Sequence, residues 1–175
     1  MTKFKADMID DFLKAAHKKF GGDSAGATDV DQTKLWKGRF NKGKLTNLSF
    51  TLQITMDYAE VGGGKPDKAN KDAIAKVAQL AKQHEEKHKA GYEAAFKEWG
   101  PEQVKKDLES KTYKNEKEMN KAVNDALDDL FRALLKACLD LHKKEGVIVV
   151  AHKQDGSIDV SMEPAGASGC ESLDG

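Results

Sequence analysis

The stretch from Ile74 to Trp99 constrains the fold of this chain most, because its apolar residues recur at helical spacing. At about 100° per residue they form one stripe, which consists of Ile74, Val77, Ala81, Tyr92, Ala95 and Trp99. His84 and His88 fall inside this stripe, whereas the charged residue Lys87 falls outside it. The pattern predicts a long helix that buries one face and carries two histidines on that face.

The two histidines belong to the sequence His84-Glu85-x-x-His88. Residues four apart on a helix share a face about one turn apart, so both imidazoles can reach the same metal ion. Glu85 lies on the flank of that face, where it can reach a metal-bound water as a general base. This spacing is the signature of zincin metallopeptidases, and it predicts a Zn²⁺ site. The alternative is a charged, solvated helix whose histidines are accidental or make ordinary hydrogen bonds in the core.

Composition limits the classes of function. The chain has 175 residues, with 29 Lys plus Arg and 29 Asp plus Glu, so its formal net charge is zero. Such a chain has no net field to attract nucleic acid or an anionic membrane, and we expect neither as a partner. It contains no apolar run long enough to span a bilayer, and Met1-Thr2-Lys3-Phe4-Lys5 lacks the apolar core of a signal peptide. The compartment therefore stays open, as does the oligomeric state.

The first part of the chain reads as a helix followed by strands. Apolar spacing predicts an amphipathic helix over residues 5–20, and the Gly/Ala/Asp-rich residues 22–31 predict a loop. We expect a strand over residues 33–40, and Asn41-Lys42-Gly43-Lys44 has the composition of a turn. From Leu48 to Tyr58 apolar and polar residues alternate, which is typical of a strand with one buried face in an antiparallel sheet.

The rest of the chain is mainly helical. We expect a flexible connector with three glycines at residues 61–66, followed by the motif helix from residue 67 or 70 to residue 99. Two further helices should span residues 101–111 and 116–144, and a C-terminal hairpin should span residues 147–162. The sequence thus predicts an α+β fold with an N-terminal helix, a small antiparallel sheet, and the motif helix packed against a second long helix. We expect one domain over residues 1–163 and a flexible tail over 164–175. Cys138 and Cys170 are compatible with a bridge or with two thiols.

Two histidines do not complete a catalytic zinc site, which usually has three protein ligands and a water. The third ligand should come from another element, commonly a helix that crosses the motif helix. Glu116 lies near the start of the second long helix, and His142 and Glu145 lie near its end. Spacing alone leaves all three residues open.

The chain resembles the bacterial DUF922 family of predicted secreted zinc-dependent proteases. The likeness spans roughly residues 33–146. It begins at the alternating strand and runs through Leu80-x-x-x-His84-Glu85-x-x-His88. In that family a long helical stretch ends in a pattern like Tyr-Asp-x-x-Thr-x-His-Gly, and this chain has Leu139-Asp140-Leu141-His142-Lys143-Lys144-Glu145-Gly146 at a similar distance. Asp140 and Gly146 fit that pattern, Leu139 and Lys143 depart from it, and Glu145 occupies the position of the histidine.

The resemblance implies that Glu145 is the third zinc ligand, with His142 as a shifted substitute, since two histidines and a glutamate are a known catalytic set. It further implies a secreted or periplasmic zinc-dependent protease acting on a peptide or protein substrate. Glu85 would take a proton from the attacking water and pass it to the leaving amine. A substrate strand could bind to an exposed edge of the sheet. The competing hypothesis is a non-catalytic binding or inhibitory module, in which the motif helix is a scaffold or holds a structural metal.

Overall fold

The computed structural model describes residues 1–166 and 169–170. Strands and helices follow one another in the order β1 (Thr2–Lys5), α1 (Ile9–Phe20), β2 (Gly26–Val30), a 3₁₀ turn (Gln32–Lys34), β3 (Trp36–Asn41), β4 (Lys44–Phe50), β5 (Ile54–Gly63), α2 (Lys68–Trp99), α3 (Pro101–Ser110), α4 (Glu116–His142), β6 (Val147–His152) and β7 (Ile158–Glu163). The predicted α+β class is confirmed. None of the helices in the described ranges combines the length and the hydropathy that crossing a membrane requires.

The strands form three small sheets within the described part of the chain. One sheet has the order β1-β5-β2, and the other two are the hairpins β3-β4 and β6-β7. Both hairpins are antiparallel, but β1 pairs with β5 in parallel, with Thr2 opposite Ala59 and Phe4 opposite Val61. The prediction of a purely antiparallel sheet was therefore wrong for this pair. An alternating pattern identifies a strand but carries no information about the direction of its partner.

Two segments before β3 also differ from the prediction. The first helix begins at Ile9 rather than near residue 5, because Thr2–Lys5 pairs with β5 as a strand. The segment predicted as a loop over residues 22–31 contains β2, which begins at Gly26. Both strands are short, so their composition gave little signal of period two.

The alternating stretch from Leu48 to Tyr58 forms two strands rather than one. Strand β4 ends at Phe50 and β5 begins at Ile54, so the alternation continues across a break in pairing. The predicted turn joins β3 to β4. Lys42 and Gly43 have φ values of 46° and 78° at its centre, as a two-residue hairpin turn with the favoured twist requires.

The predicted helices and the C-terminal hairpin are confirmed, and side chains cap both long helices. Asp67 precedes α2 and accepts a hydrogen bond from the backbone N–H of Asn70 at 2.8 Å. Asn115 precedes α4 and accepts one from the N–H of Glu118 at 2.9 Å. Each contact satisfies an N–H that has no partner inside its helix. Gly100, with φ 76°, ends α2 before Pro101 starts α3.

The chain divides into two compact units. The first contains Met1–Thr28, Met56–Lys89 and Leu139–Gly169, and the second contains Asp29–Thr55, Ala90–Cys138 and Cys170–Gly175. Helices α2 and α4 contribute residues to both units. The prediction of a single domain over 1–163 stays a prediction, and residues 167–168 and 171–175 of the predicted flexible tail lie outside the described residues.

The core of the first unit is built from apolar side chains on α1, α2, β5 and β7, among them Ile9, Phe12, Ala16, Ala59, Ile74, Val77, Ala81 and Val160. The buried amide of Asn70 fixes α1 against α2, because its Oδ1 accepts a hydrogen bond from the N–H of Ile9 at 2.9 Å. This N–H lies in the first turn of α1, where the helix itself offers no acceptor. The contact therefore sets the start of α1 relative to the motif helix.

The second unit buries a separate set of apolar side chains, most of them leucines, including Leu35, Leu45, Leu48, Leu108, Met119, Val123, Leu130 and Leu134. Helix α3 lies along β4, where Glu109 accepts a hydrogen bond from the N–H of Leu48 at 2.9 Å. Cys138 and Cys170 form a disulfide, which settles the alternative that the sequence left open. Both cysteines are buried.

Candidate metal centre

Helix α2 places the two motif histidines side by side inside the first unit. His84 and His88 are 6% and 7% exposed, as expected for residues on the apolar stripe. Their Nε2 atoms lie 3.0 Å apart, and their rings meet edge to face. The helical spacing therefore brings the two imidazole nitrogens to a common point, as the motif predicts.

A third histidine reaches the same point from the end of α4. His142 is 5% exposed. Its Nε2 lies 2.9 Å from that of His88 and 3.3 Å from that of His84. Among the described residues these three histidines form a buried group that can hold a metal ion.

The turn after α4 fixes the position of His142. Its carbonyl accepts a hydrogen bond from the N–H of Ala165 at 3.0 Å, and the N–H of Gly146 donates to Glu163 at 2.7 Å. A Cβ at Gly146 would lie 2.4 Å from that of Ala165 and 3.3 Å from Cγ of His142. Only glycine therefore lets this turn pack so closely.

The three Nε2 atoms cannot all satisfy one another. A neutral imidazole nitrogen carries either one N–H or one in-plane lone pair, so three of them form at most one hydrogen bond among themselves. A metal ion accepts all three lone pairs at once. A tetrahedral Zn²⁺ with Zn–N bonds of about 2.0–2.1 Å separates its nitrogen ligands by about 3.3–3.4 Å. The observed 2.9–3.3 Å separations need to open by at most about 0.5 Å.

Burial favours the neutral form of His84 and His88, which is the form that can bind a metal. Desolvation, and then the neighbouring His84 and His142, lower the pKa of His88 to about 3. Desolvation also lowers the pKa of His84, although its contact with Glu145 acts in the opposite direction. A protonated imidazole has no lone pair for a metal, so both effects favour the ligand form at neutral pH.

Glu145 lies on the other side of the His84 ring from the point where the Nε2 atoms meet. Its Oε1 is 3.4 Å from Nδ1 of His84, and its two oxygens are 2.8 Å and 2.6 Å from Nζ of Lys87. Burial would raise the pKa of Glu145, but the hydrogen bonds with Lys87 and His84 outweigh it and lower the pKa. The resulting carboxylate can accept the Nδ1 proton of His84, which leaves the Nε2 lone pair for a metal.

Glu85 is buried next to strand β2. It is 5% exposed, and its Oε2 accepts a hydrogen bond from Oγ1 of Thr28 at 2.6 Å. It follows His84 directly on α2. No sequence pattern points to Thr28 or Lys87 as part of the site, because β2 has the composition of a loop and a lysine beside the stripe is typical of an ordinary surface.

Two further residues lie outside this group. Glu116, offered as a possible third ligand, is exposed and belongs to the second unit. His152, a further histidine at the end of β6, is exposed and pairs with Asp10 at 3.2 Å. Neither residue belongs to the group of histidines that can hold a metal.

Comparisons with known proteins add no relative. No protein-family model matches the chain, and no curated protein and no solved structure is similar to it. The resemblance to the DUF922 family therefore stays a prediction.

Proposed function

We propose that this chain is a zinc-dependent metallopeptidase with His84, His88 and His142 as its metal ligands. The observation that carries the proposal is the meeting of three buried Nε2 atoms within 3.3 Å of one another, two of them from a His-Glu-x-x-His helix. Three histidines and one open position are a known ligand set of catalytic zinc. The proposal replaces Glu145 by His142 as the third ligand.

The donor set favours zinc over harder cations. Imidazole nitrogen suits zinc and its transition-metal neighbours, whereas Mg²⁺ and Ca²⁺ take oxygen ligands. A zinc ion, when bound, supplies a water with a pKa near 7 and polarises a carbonyl oxygen. Besides holding the metal, the side chains of the protein would then have to transfer the protons of the reaction.

Glu85 is the proposed general base. It follows a ligand on the same helix, so its carboxylate belongs to the flank of the metal site rather than to the ligand set. It would take a proton from the attacking water and deliver it to the nitrogen of the leaving group.

Glu145 and Lys87 have a supporting role in this proposal. A carboxylate on the second nitrogen of a ligand histidine fixes its tautomer and ring orientation and raises its basicity. Lys87 keeps that carboxylate ionised and in place through two contacts of 2.6 Å and 2.8 Å.

The test is the variant Glu85→Gln, which keeps the size and the hydrogen-bonding ability of the side chain but removes its basicity. We expect near-stoichiometric zinc by elemental analysis in both proteins, and loss of peptide cleavage by about 100-fold or more in the variant. Equal cleavage rates in the two proteins would show that Glu85 is not the base.

A non-catalytic module with a structural metal is the second candidate. The burial of all three histidines favours it, because structural zinc sites are closed to solvent. A hydroxamate inhibitor distinguishes the two, since it needs an open coordination position. A change in the visible spectrum of the Co²⁺-substituted protein on adding the hydroxamate supports the peptidase, and an unchanged spectrum supports the structural site.

A further inference from the structure

Two residues of strand β2, Gly26 and Thr28, lie against Glu85 of the motif helix. Gly26 and Thr28 are two apart in the strand, so both lie on the same face. Gly26 leaves open the space in which the Glu85 side chain lies, and the Thr28 hydroxyl donates a hydrogen bond to the Glu85 carboxylate.

The Thr28 hydroxyl donates a hydrogen bond to the Glu85 carboxylate. Its Oγ1 lies 2.6 Å from Oε2 of Glu85 and 3.3 Å from the Glu85 carbonyl oxygen. A hydroxyl that donates to an ionised carboxylate makes a short bond of about 2.5–2.7 Å, roughly twice as strong as one between neutral groups. Since Glu85 is buried, this bond is also protected from competition with water.

Gly26 provides the space in which the carboxylate lies. A Cβ at this position would be 2.6 Å from Oε1 of Glu85, 2.7 Å from its Cγ and 2.9 Å from its Cδ. Any side chain at Gly26 therefore forces the Glu85 side chain out of its present place. The clash involves most of the side chain, so a small rotation of its tip is not enough.

We infer that Gly26 and Thr28 are positioning residues that hold the Glu85 carboxylate in its working orientation beside the histidine group. The inference rests on the proposed function for its catalytic meaning. A general base must be held in hydrogen-bonding reach of the proton that it removes, and a displacement of about 1 Å can cost two orders of magnitude in rate. Strand β2 would thus belong to the site as much as the motif helix does.

The experiment compares Thr28→Val, which replaces the hydroxyl by a methyl group of similar size, with Thr28→Ser, which keeps the hydroxyl. We expect Thr28→Val to bind zinc at the stoichiometry of the parent, with KM unchanged and kcat lower by about tenfold or more. Thr28→Ser should restore most of the rate. Gly26→Ala should lower kcat with zinc retained, because it displaces the same carboxylate.

A second measurement needs neither zinc nor turnover. In metal-free protein, Thr28→Val should lower the urea midpoint of unfolding, but it should do so much less when Glu85 is already Ala, since the hydrogen bond is then absent from both proteins. Equal midpoint shifts in the two backgrounds, or a Thr28→Val variant with the kcat of the parent, would overturn the inference.

The two proposals fail in different ways. A parent protein that binds zinc but cleaves no peptide refutes the peptidase, and the inference about catalysis falls with it, whatever the unfolding data say. A parent that cleaves peptide together with an equally active Thr28→Val refutes the positioning role alone.

Discussion

The two units bury different chemistry. Among the described residues, every buried polar or charged side chain belongs to the first unit, namely Asn70, His84, Glu85, His88 and His142. The second unit buries leucines, valine, methionine, two tyrosines and the disulfide. Burying polar groups costs free energy unless each one finds a partner. The buried polar groups of the first unit should therefore lower its stability in the absence of a metal, whereas the second unit follows the ordinary rules of a core.

Helix α4 carries both kinds of burial, which makes it a convenient place to test the difference. The largest expected effect is that of His142→Ala on zinc affinity. Because binding of a structural zinc ion is worth about 10–16 kcal/mol over its full ligand set, losing one ligand should weaken binding by about a thousandfold or more. Competition with a chromophoric chelator measures this affinity, and an unchanged value would remove His142 from the ligand set.

The matched control lies in the part of α4 that belongs to the second unit. Leu130 is fully buried, so Leu130→Ala should destabilise the protein by about 2.7–5 kcal/mol through lost burial and a cavity. Zinc stoichiometry in the folded protein should not change. Urea unfolding together with elemental analysis checks both statements. A loss of zinc from folded Leu130→Ala would contradict the division between the two kinds of burial.

A smaller effect should follow from Glu145→Gln. The amide still fills the space but no longer offers a charged acceptor to Nδ1 of His84 or to Nζ of Lys87. Loss of such a partner typically weakens metal binding by about 10- to 100-fold. The same chelator competition measures it. A loss as large as that of His142→Ala would instead support Glu145 as a direct ligand.

The smallest expected effect is the pH dependence of stability in metal-free protein. In the unfolded chain His88 binds a proton near the ordinary histidine pKa of 6.5, whereas in the folded protein it does not do so until about pH 3. The unfolded state therefore gains protons first as the pH falls, and stability should drop by up to ~2 kcal/mol between pH 6.5 and 5. Carboxylates with lowered pKa, such as Glu145, add their own loss only nearer the ordinary glutamate pKa of 4.5.

Thermal unfolding in EDTA measures this slope, and His88→Asn is the control. The variant has no imidazole to titrate at this position, so its melting temperature should change less over the same pH range. Parallel curves for the parent and the variant would show that burial of His88 does not affect its protonation.

The sequence identified the parts of the molecule that depend on a regular local pattern. The stripe from Ile74 to Trp99 predicted α2 together with the inward position of His84 and His88, because 3.6-residue periodicity shows directly in the sequence. The turn at Lys42-Gly43 was readable for a similar reason, since its residue types match the backbone angles that it needs.

The sequence could not show which groups meet across the fold. His142 is the last residue of α4 and Glu145 lies three residues later, and only the turn at Gly146 decides that the first points its Nε2 at the motif while the second lies behind His84. Strand β2 was missed for the same reason, since its role depends on contacts with Glu85, more than fifty residues later in the chain. Such long-range contacts leave no periodic signal.

X-ray absorption at the zinc edge, on protein purified without added metal, tests the central claim most directly. The account predicts near-stoichiometric zinc with three imidazole ligands at about 2.0–2.1 Å and a fourth light ligand. Protein that contains no zinc and does not bind it on addition, or zinc coordinated by sulfur at about 2.3 Å, would contradict the account.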